Sequence, residues 1–187
     1  MSPLVGSGIW FNIFRKYLGF FTQEILLGVM TDVGTVATGT GPTWVAVDPT
    51  NHVVFVTNQG SNTIQSLTYN PSTGVMTNVG TVATGTNPTG MAVDPTNHVV
   101  FVANNGSNTI QSLTYNPSTG VMTDVGTVAT GTGPWGVAVD PTNHVVFVSN
   151  NGSATIQSLT YNPSTGVMTN VGTVATGTNP TGVAVDL

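Results

Sequence analysis

Charge is what this chain has least of. Of its 187 residues only 5% are Asp, Glu, Lys or Arg, against about 25% in ordinary globular proteins. Both basic residues, Arg15 and Lys16, precede position 28, so the remainder contains no Lys or Arg. Nucleic-acid binding needs such residues to neutralise phosphates, so that partner class is excluded. An anionic membrane surface is disfavoured for the same reason. Cysteine is absent, which removes disulfides, zinc–thiolate sites and thiol nucleophiles together. No uninterrupted apolar run is long enough to span a membrane, and Arg15 and Lys16 sit in the wrong order for a secretory signal. Thr, Asn, Ser and Gly take the place of charge, a composition that suits an extracellular or cell-surface protein.

What is present is repetition. Val29-Met30, Val75-Met76, Val121-Met122 and Val167-Met168 mark one phase, and His52, His98 and His144 keep the same spacing. The units are 28–73, 74–119, 120–165 and a partial 166–187. Residues 1–27 form a separate N-terminal segment. Repeats of about 20–50 residues indicate solenoids, propellers or arrays, in which each unit buries its apolar face only against a neighbour.

Each unit holds four short strand-forming runs separated by turn chemistry. In the second unit they are VMTNVGTVAT (75–84), GMAVD (90–94), HVVFVAN (98–104) and TIQSLTY (109–115). Asp94-Pro95-Thr96-Asn97 reads as a type I turn, with Asp first and Pro second. Asn104-Asn105-Gly106-Ser107 reads as a hairpin loop, and Asn116-Pro117-Ser118-Thr119-Gly120 as a turn whose Gly takes positive φ. HVVFVAN is apolar on both faces, as expected of a strand between two layers. The small residues Ala46, Ala92, Ala138 and Ala184 suit a crowded central axis. Four antiparallel strands graded from buried to exposed describe a propeller blade, so the fold class is all-β.

The run GVMTDVGTVATGTGPWGVAVDPTNHVVFVSNNGSATIQSLTYNPSTG resembles the blades of the lactonase-like and YVTN-type β-propellers. The shared pattern is a Gly-Pro entry, an AVDP turn, an FVxN strand and a YxPxTG turn. The resemblance covers residues 28–187 and implies a blade with the AVDP strand innermost and the VMTNVGTVAT strand outermost. On that order the repeats open with an outermost strand at 29–38 and finish with an innermost one at 182–186, leaving three complete blades between. Members of the family usually have seven, and some are lactonases.

Residues 1–27 carry two readings. A shift of 92 positions sets Ser2-Pro3 on Asp94-Pro95 and Ile9–Asn12 on Phe101–Asn104, as a divergent half-blade would. Alternatively, Trp10, Ile13, Phe14, Tyr17, Leu18, Phe21 and Ile25 follow the spacing of an amphipathic helix.

His52, His98 and His144 recur in one place of each unit, whereas metal ligands converge from different places. They read as turn residues, and no metal or other cofactor is called for. Asp48, Asp94 and Asp140 lead the DPTN turns, Asp186 holds the matching position, and all four read as backbone acceptors. Asp32 and Asp124 alternate with Asn78 and Asn170, an exchange that acid–base catalysis would not tolerate. The candidate ligand-binding set is Trp44 and Trp135, on the loops entering the innermost strands, with Asn58, Asn104 and Asn150 on the same rim. An indole face beside amides suits a sugar.

Units 74–119 and 120–165 differ at only six aligned positions, which leaves little individuality for an active site. The expectation is therefore a non-enzymatic structural or interaction module that assembles with copies of itself into a ring or filament, since open blade stacks expose strand edges. The alternatives are a multivalent carbohydrate-binding surface protein and a lactonase-like hydrolase. A phosphorylated lactone would want Lys or Arg at its phosphate, and the blades have neither.

Overall fold

A computed structural model describes residues 32–186. The chain divides into two compact units, Met1–Asp32 and Val33–Leu187, and all the described strands belong to the second. The helix or half-blade expected of residues 1–27 lies outside the described residues.

Among the described residues, twelve strands form three sheets, each of four antiparallel strands in sequential order. The first blade is β1 (Pro42–Asp48), β2 (Val53–Asn58), β3 (Thr63–Tyr69) and β4 (Met76–Ala83). The second is β5 (Pro88–Asp94), β6 (Val99–Asn104), β7 (Thr109–Tyr115) and β8 (Met122–Ala129). The third is β9 (Pro134–Asp140), β10 (Val145–Asn150), β11 (Thr155–Tyr161) and β12 (Met168–Ala175). No helix occurs among the described residues.

Local chemistry sets the corners. Asp48 Oδ1 accepts the backbone N–H groups of Thr50 and Asn51 at 2.9 and 3.0 Å, and its Oδ2 accepts Asn51 Nδ2 at 2.7 Å. The chain then passes through left-handed His52, φ 58°, and enters β2. Asp94 with His98 and Asp140 with His144 repeat the device. The fourth strand starts after an Asn70-type turn, in which Asn70 Oδ1 accepts Ser72 N–H and Gly74 takes φ 74°.

The blades stack face to face through two apolar layers. Between the first and second lie Val53, Phe55 and Ile64 on one side, and Met91, Val100, Val102, Leu113, Tyr115 and Met122 on the other. Between the second and third, Val99, Phe101, Ala103 and Ile110 meet Val137, Val139, Val146, Val148, Leu159, Tyr161 and Met168. Strand β6 is buried at all six positions; its odd residues face the third blade and its even ones, Val100 and Val102, the first. That is the two-sided burial that HVVFV implied. Ala46 and Ala92 pack against these layers, so their small size sets the spacing between blades.

A polar bond reinforces each layer. Tyr115 Oη donates to Asp48 Oδ2 at 2.7 Å, and Tyr161 Oη to Asp94 Oδ2 at 2.5 Å. The same tyrosine rings meet Phe55 and Phe101 edge-on, with centroids 4.9 and 4.8 Å apart. Burial alone would raise the Asp48 pKa, but hydrogen bonds from Tyr115, Asn51 and Thr50 together hold it below its ordinary 3.8. Burial and the Asp48 carboxylate push the Tyr115 hydroxyl far upward.

The runs expected as terminal strands, 29–38 and 182–186, are not strands where described, at residues 32–38 and 182–186. Both segments nevertheless hold blade-like positions. Ala37 O accepts Gln65 Nε2, as Ala83 O accepts Gln111 Nε2 and Ala129 O accepts Gln157 Nε2.

Two outcomes are expected. Phe101→Ala costs about 3–5 kcal/mol in urea unfolding, whereas Phe147→Ala costs less because Phe147 is only half-buried on the outer face of the third blade. Tyr115→Phe lowers stability at neutral pH by about 1.5–3 kcal/mol, since it removes a hydrogen bond to a buried charge. The depressed Asp48 pKa contributes stability that is present above pH 3.8 and lost as pH falls through the folded-state value. The variant, with Asp48 nearer its ordinary pKa, therefore shows a smaller loss across that acid window, measured by unfolding at a series of pH values.

Candidate functional site

Each blade has two ends, and they are built differently. One carries the DPTN and NPST turns; the other carries the loop entering the innermost strand together with the hairpin between the second and third strands.

The DPTN end is structural in its geometry. His52, His98 and His144 lie edge-on to Tyr69, Tyr115 and Tyr161, at 5.3, 5.5 and 5.6 Å. Their backbone carbonyls accept the N–H groups of the same tyrosines, at 3.0 Å each. Among the described residues no three of His, Asp or Glu converge as metal ligands would. On the outer strands, Asn78, Asp124 and Asn170 each accept the Nε2 of Gln65, Gln111 and Gln157 through Oδ1, at 2.8, 2.8 and 2.9 Å. An oxygen acceptor is all that position requires, so amide and carboxylate exchange freely.

The opposite rim is where the repeats become individual. Units 28–73 and 120–165 differ at five aligned positions: Thr43/Trp135, Trp44/Gly136, Thr57/Ser149, Gln59/Asn151 and Asn62/Ala154. All five lie on this rim, at the start of β1 or β9 or around the β2–β3 and β10–β11 hairpins. The second unit adds Asn87 and Met91 at the same entry; its Asn78 is the one exchange placed elsewhere.

The five candidate ligand residues separate into two layers here. Trp44 and Trp135 are exposed, at 42% and 39%. Asn58, Asn104 and Asn150 are wholly buried beneath. Their Nδ2 atoms donate to Thr63, Thr109 and Thr155 Oγ1 at 3.1–3.2 Å, and their Oδ1 atoms are enclosed without a protein donor. Gly39, Gly85 and Gly131 lie directly over them; a Cβ there would approach Cγ of the asparagine to 2.8–2.9 Å. The two indoles are also not equivalent. Trp44 aligns with Gly90 and Gly136, Trp135 with Thr43 and Thr89, so the rings stand one register step apart.

Several rim residues carry roles that composition and motif reading did not single out. Thr57 Oγ1 donates to Thr89 O at 3.0 Å, Thr89 Oγ1 to Trp135 O at 3.3 Å, and Ser149 Oγ to Thr181 O at 3.3 Å. One hydroxyl thus anchors the equivalent carbonyl of each next innermost segment, supplied from a different position where Ala103 lacks it. Asn105 Nδ2 donates to Pro134 O at 3.1 Å, and Asn151 Nδ2 to Pro180 O at 3.4 Å. Comparing the units with one another, rather than seeking their consensus, is the signal that could have found these residues.

Exposed on the rim are Thr43, Thr86, Asn87, Thr132 and the two indoles, with no cationic side chain from the blades. A separate cavity of about 110 Å³ lies on the outer strands, lined by Ser112, Val125–Val128, Val167 and Met168.

Comparison with known proteins agrees with the fold. The model of the family described as lactonase, 7-bladed β-propeller, matches residues 21–185. Among solved structures, a candidate 6-phosphogluconolactonase from Bacteroides fragilis is similar at 19% identity and TM-score 0.72, over 80% of this chain and 43% of that one. The periplasmic gluconolactonase of Pseudomonas aeruginosa is similar at 17% identity and TM-score 0.69, over 76% and 42%. A Desulfotomaculum acetoxidans protein of unknown function is similar at 24% identity and TM-score 0.69, over 77% and 45%. The chain spans less than half the length of these structures. No curated protein matches it.

The family match overturns the expectation of a non-enzymatic structural module assembling into a ring or filament, and with it the reading that the chain is not an enzyme. The premise behind that expectation also fails physically. Near-identity of the units does not deny individuality to a site, because the few differences concentrate on one rim.

One substitution tests the packing of this rim. A Cβ at Gly90 would overlap the carbonyl oxygen of Trp135, which is fixed backbone. Gly90→Ala is expected to cost about 1–3 kcal/mol by overpacking, read as a fall in the thermal midpoint.

Proposed function

The chain belongs to the lactonase family of seven-bladed β-propellers, and on that premise we propose that it acts as a lactone hydrolase, with substrate held over the variable rim. The observation that carries this reading is the family match across 21–185, nearly the whole of the repeated sequence. The similarity to a gluconolactonase supports the choice of an aldonic lactone as the first substrate to try. In the reaction water adds to the ester carbonyl, the ring C–O bond breaks, and the hydroxy acid leaves with release of a proton. A sugar lactone asks its site for partners to several hydroxyls and a flat apolar surface for its C–H face. Thr, Asn and Trp at the innermost-strand entries provide both.

Proton release from gluconolactone in a pH-stat tests the proposal. The expected result is hydrolysis proportional to protein concentration and about tenfold or more above the spontaneous rate. A panel of aldonic lactones hydrolysed no faster with protein than without it refutes the reading.

A further inference from the structure

Trp135 is the one large aromatic that the third blade places on the rim where the other two blades have Thr43 and Thr89. Its surroundings are asymmetric. The ring is 39% exposed, while its backbone neighbours Pro134 and Gly136 are buried. The second blade grips that buried backbone with hydrogen bonds from two residues. The Thr89 hydroxyl, with one proton to give, lies 3.3 Å from Pro134 O, Trp135 O and the Ala103 O of its own blade, and Asn105 Nδ2 donates to Pro134 O at 3.1 Å. On the far side, Gly136 N–H donates to buried Ser149 Oγ at 2.8 Å. An exposed indole on a backbone held from both sides loses little freedom when a ring settles on it, which is the condition for affinity from stacking. The same bracing holds Thr89 and Thr181 at the equivalent entries, so the stack supplies the rigid backbone and the third blade alone sets an indole on it.

Charge restricts what can settle there. Positions 28–187 hold no Lys or Arg, and their ionisable acids are Asp32, Asp48, Asp94, Asp124, Asp140 and Asp186. A phosphate or carboxylate on the ligand would meet a field of its own sign without a compensating cation.

We infer that Trp135 is a binding platform for the apolar face of an uncharged sugar-lactone ring, with Thr89 and Asn105 as its positioning residues, so that these blades favour neutral over phosphorylated substrates. The inference rests on the lactone-hydrolase reading for its substrate class, but not for its geometry.

Two measurements separate them. Isothermal titration calorimetry with gluconolactam, a neutral ring that is not hydrolysed, is expected to show binding to the wild-type chain. Trp135→Ala weakens it by about tenfold, and Trp135→Phe restores most of the loss. The thermal midpoint of both variants stays near wild type, as the ring is exposed. The phosphate ester of the lactam binds at least about tenfold more weakly and gains affinity with added salt as repulsion is screened. Absence of lactam binding, unchanged affinity in Trp135→Ala, or equal or tighter binding of the phosphate ester overturns the inference. Kinetics on gluconolactone supply the other arm. Turnover with the same KM in Trp135→Ala sinks the platform and leaves hydrolysis standing, whereas Trp135-dependent binding without turnover sinks hydrolysis and leaves the platform.

Discussion

A single blade of this protein has two apolar faces and no means of hiding either by itself, and every other feature of the structure answers to that fact. Strand β6, buried at all six positions, exists in that state only because a sheet lies on each side of it. The same dependence explains why the polar corner residues are shared between blades. Asp48 shapes its own turn with Oδ1 and receives the Tyr115 hydroxyl of the next blade with Oδ2. A carboxylate buried to that degree would be costly without those donors, and with them it links a local turn to the neighbouring layer. Phe55 against Tyr115, repeated as Phe101 against Tyr161, sets the distance at which that link can form.

The two rims express a division between what stacking demands and what it leaves open. The DPTN end carries the Asp–Tyr bonds, the left-handed histidines and the Asn-led turns, and the first and third units show no exchange there. The other end holds the innermost-strand entries, where the only general demand is that a hydroxyl reach the next carbonyl. Thr57 and Ser149 meet that demand from one aligned position and Thr89 from another. Because the requirement can be met in several ways, side chains such as Trp44 and Trp135 are free to differ there. A family of lactone-hydrolysing propellers fits this arrangement, in which a constant scaffold presents a variable face.

Much of the scaffold is legible in the residues. HVVFV without polar alternation announces a strand between two layers, and DPTN, NNGS and NPSTG announce its corners. The Asp/Asn exchange at 78 and 124 has its physical reason in the Gln65 and Gln111 contacts, which need only an oxygen acceptor. Function is harder to read, because similarity of the units taken as a whole hides where they differ. Six differences in a unit look negligible until they are placed in space, where nearly all share one edge. The terminal runs mislead for a related reason. Strand propensity at 32–38 and 182–186 is a property of each run alone, and neither run forms a strand where described.

The sequence by itself determined the four-stranded blade, its turn chemistry, its membership among propeller repeats and the absence of cationic groups from the blades. These are properties of period, residue type and spacing within one unit, and a unit can be read in isolation. The tertiary structure alone decided which amides lie under the surface and which indoles remain on it, and which hydroxyl anchors which neighbouring carbonyl. The offset of Trp44 from Trp135 is already written in the aligned units, whereas the burial and anchoring outcomes depend on how closely two blades approach at each end. That distance is set by the packed side chains of both blades together, and no single unit encodes it.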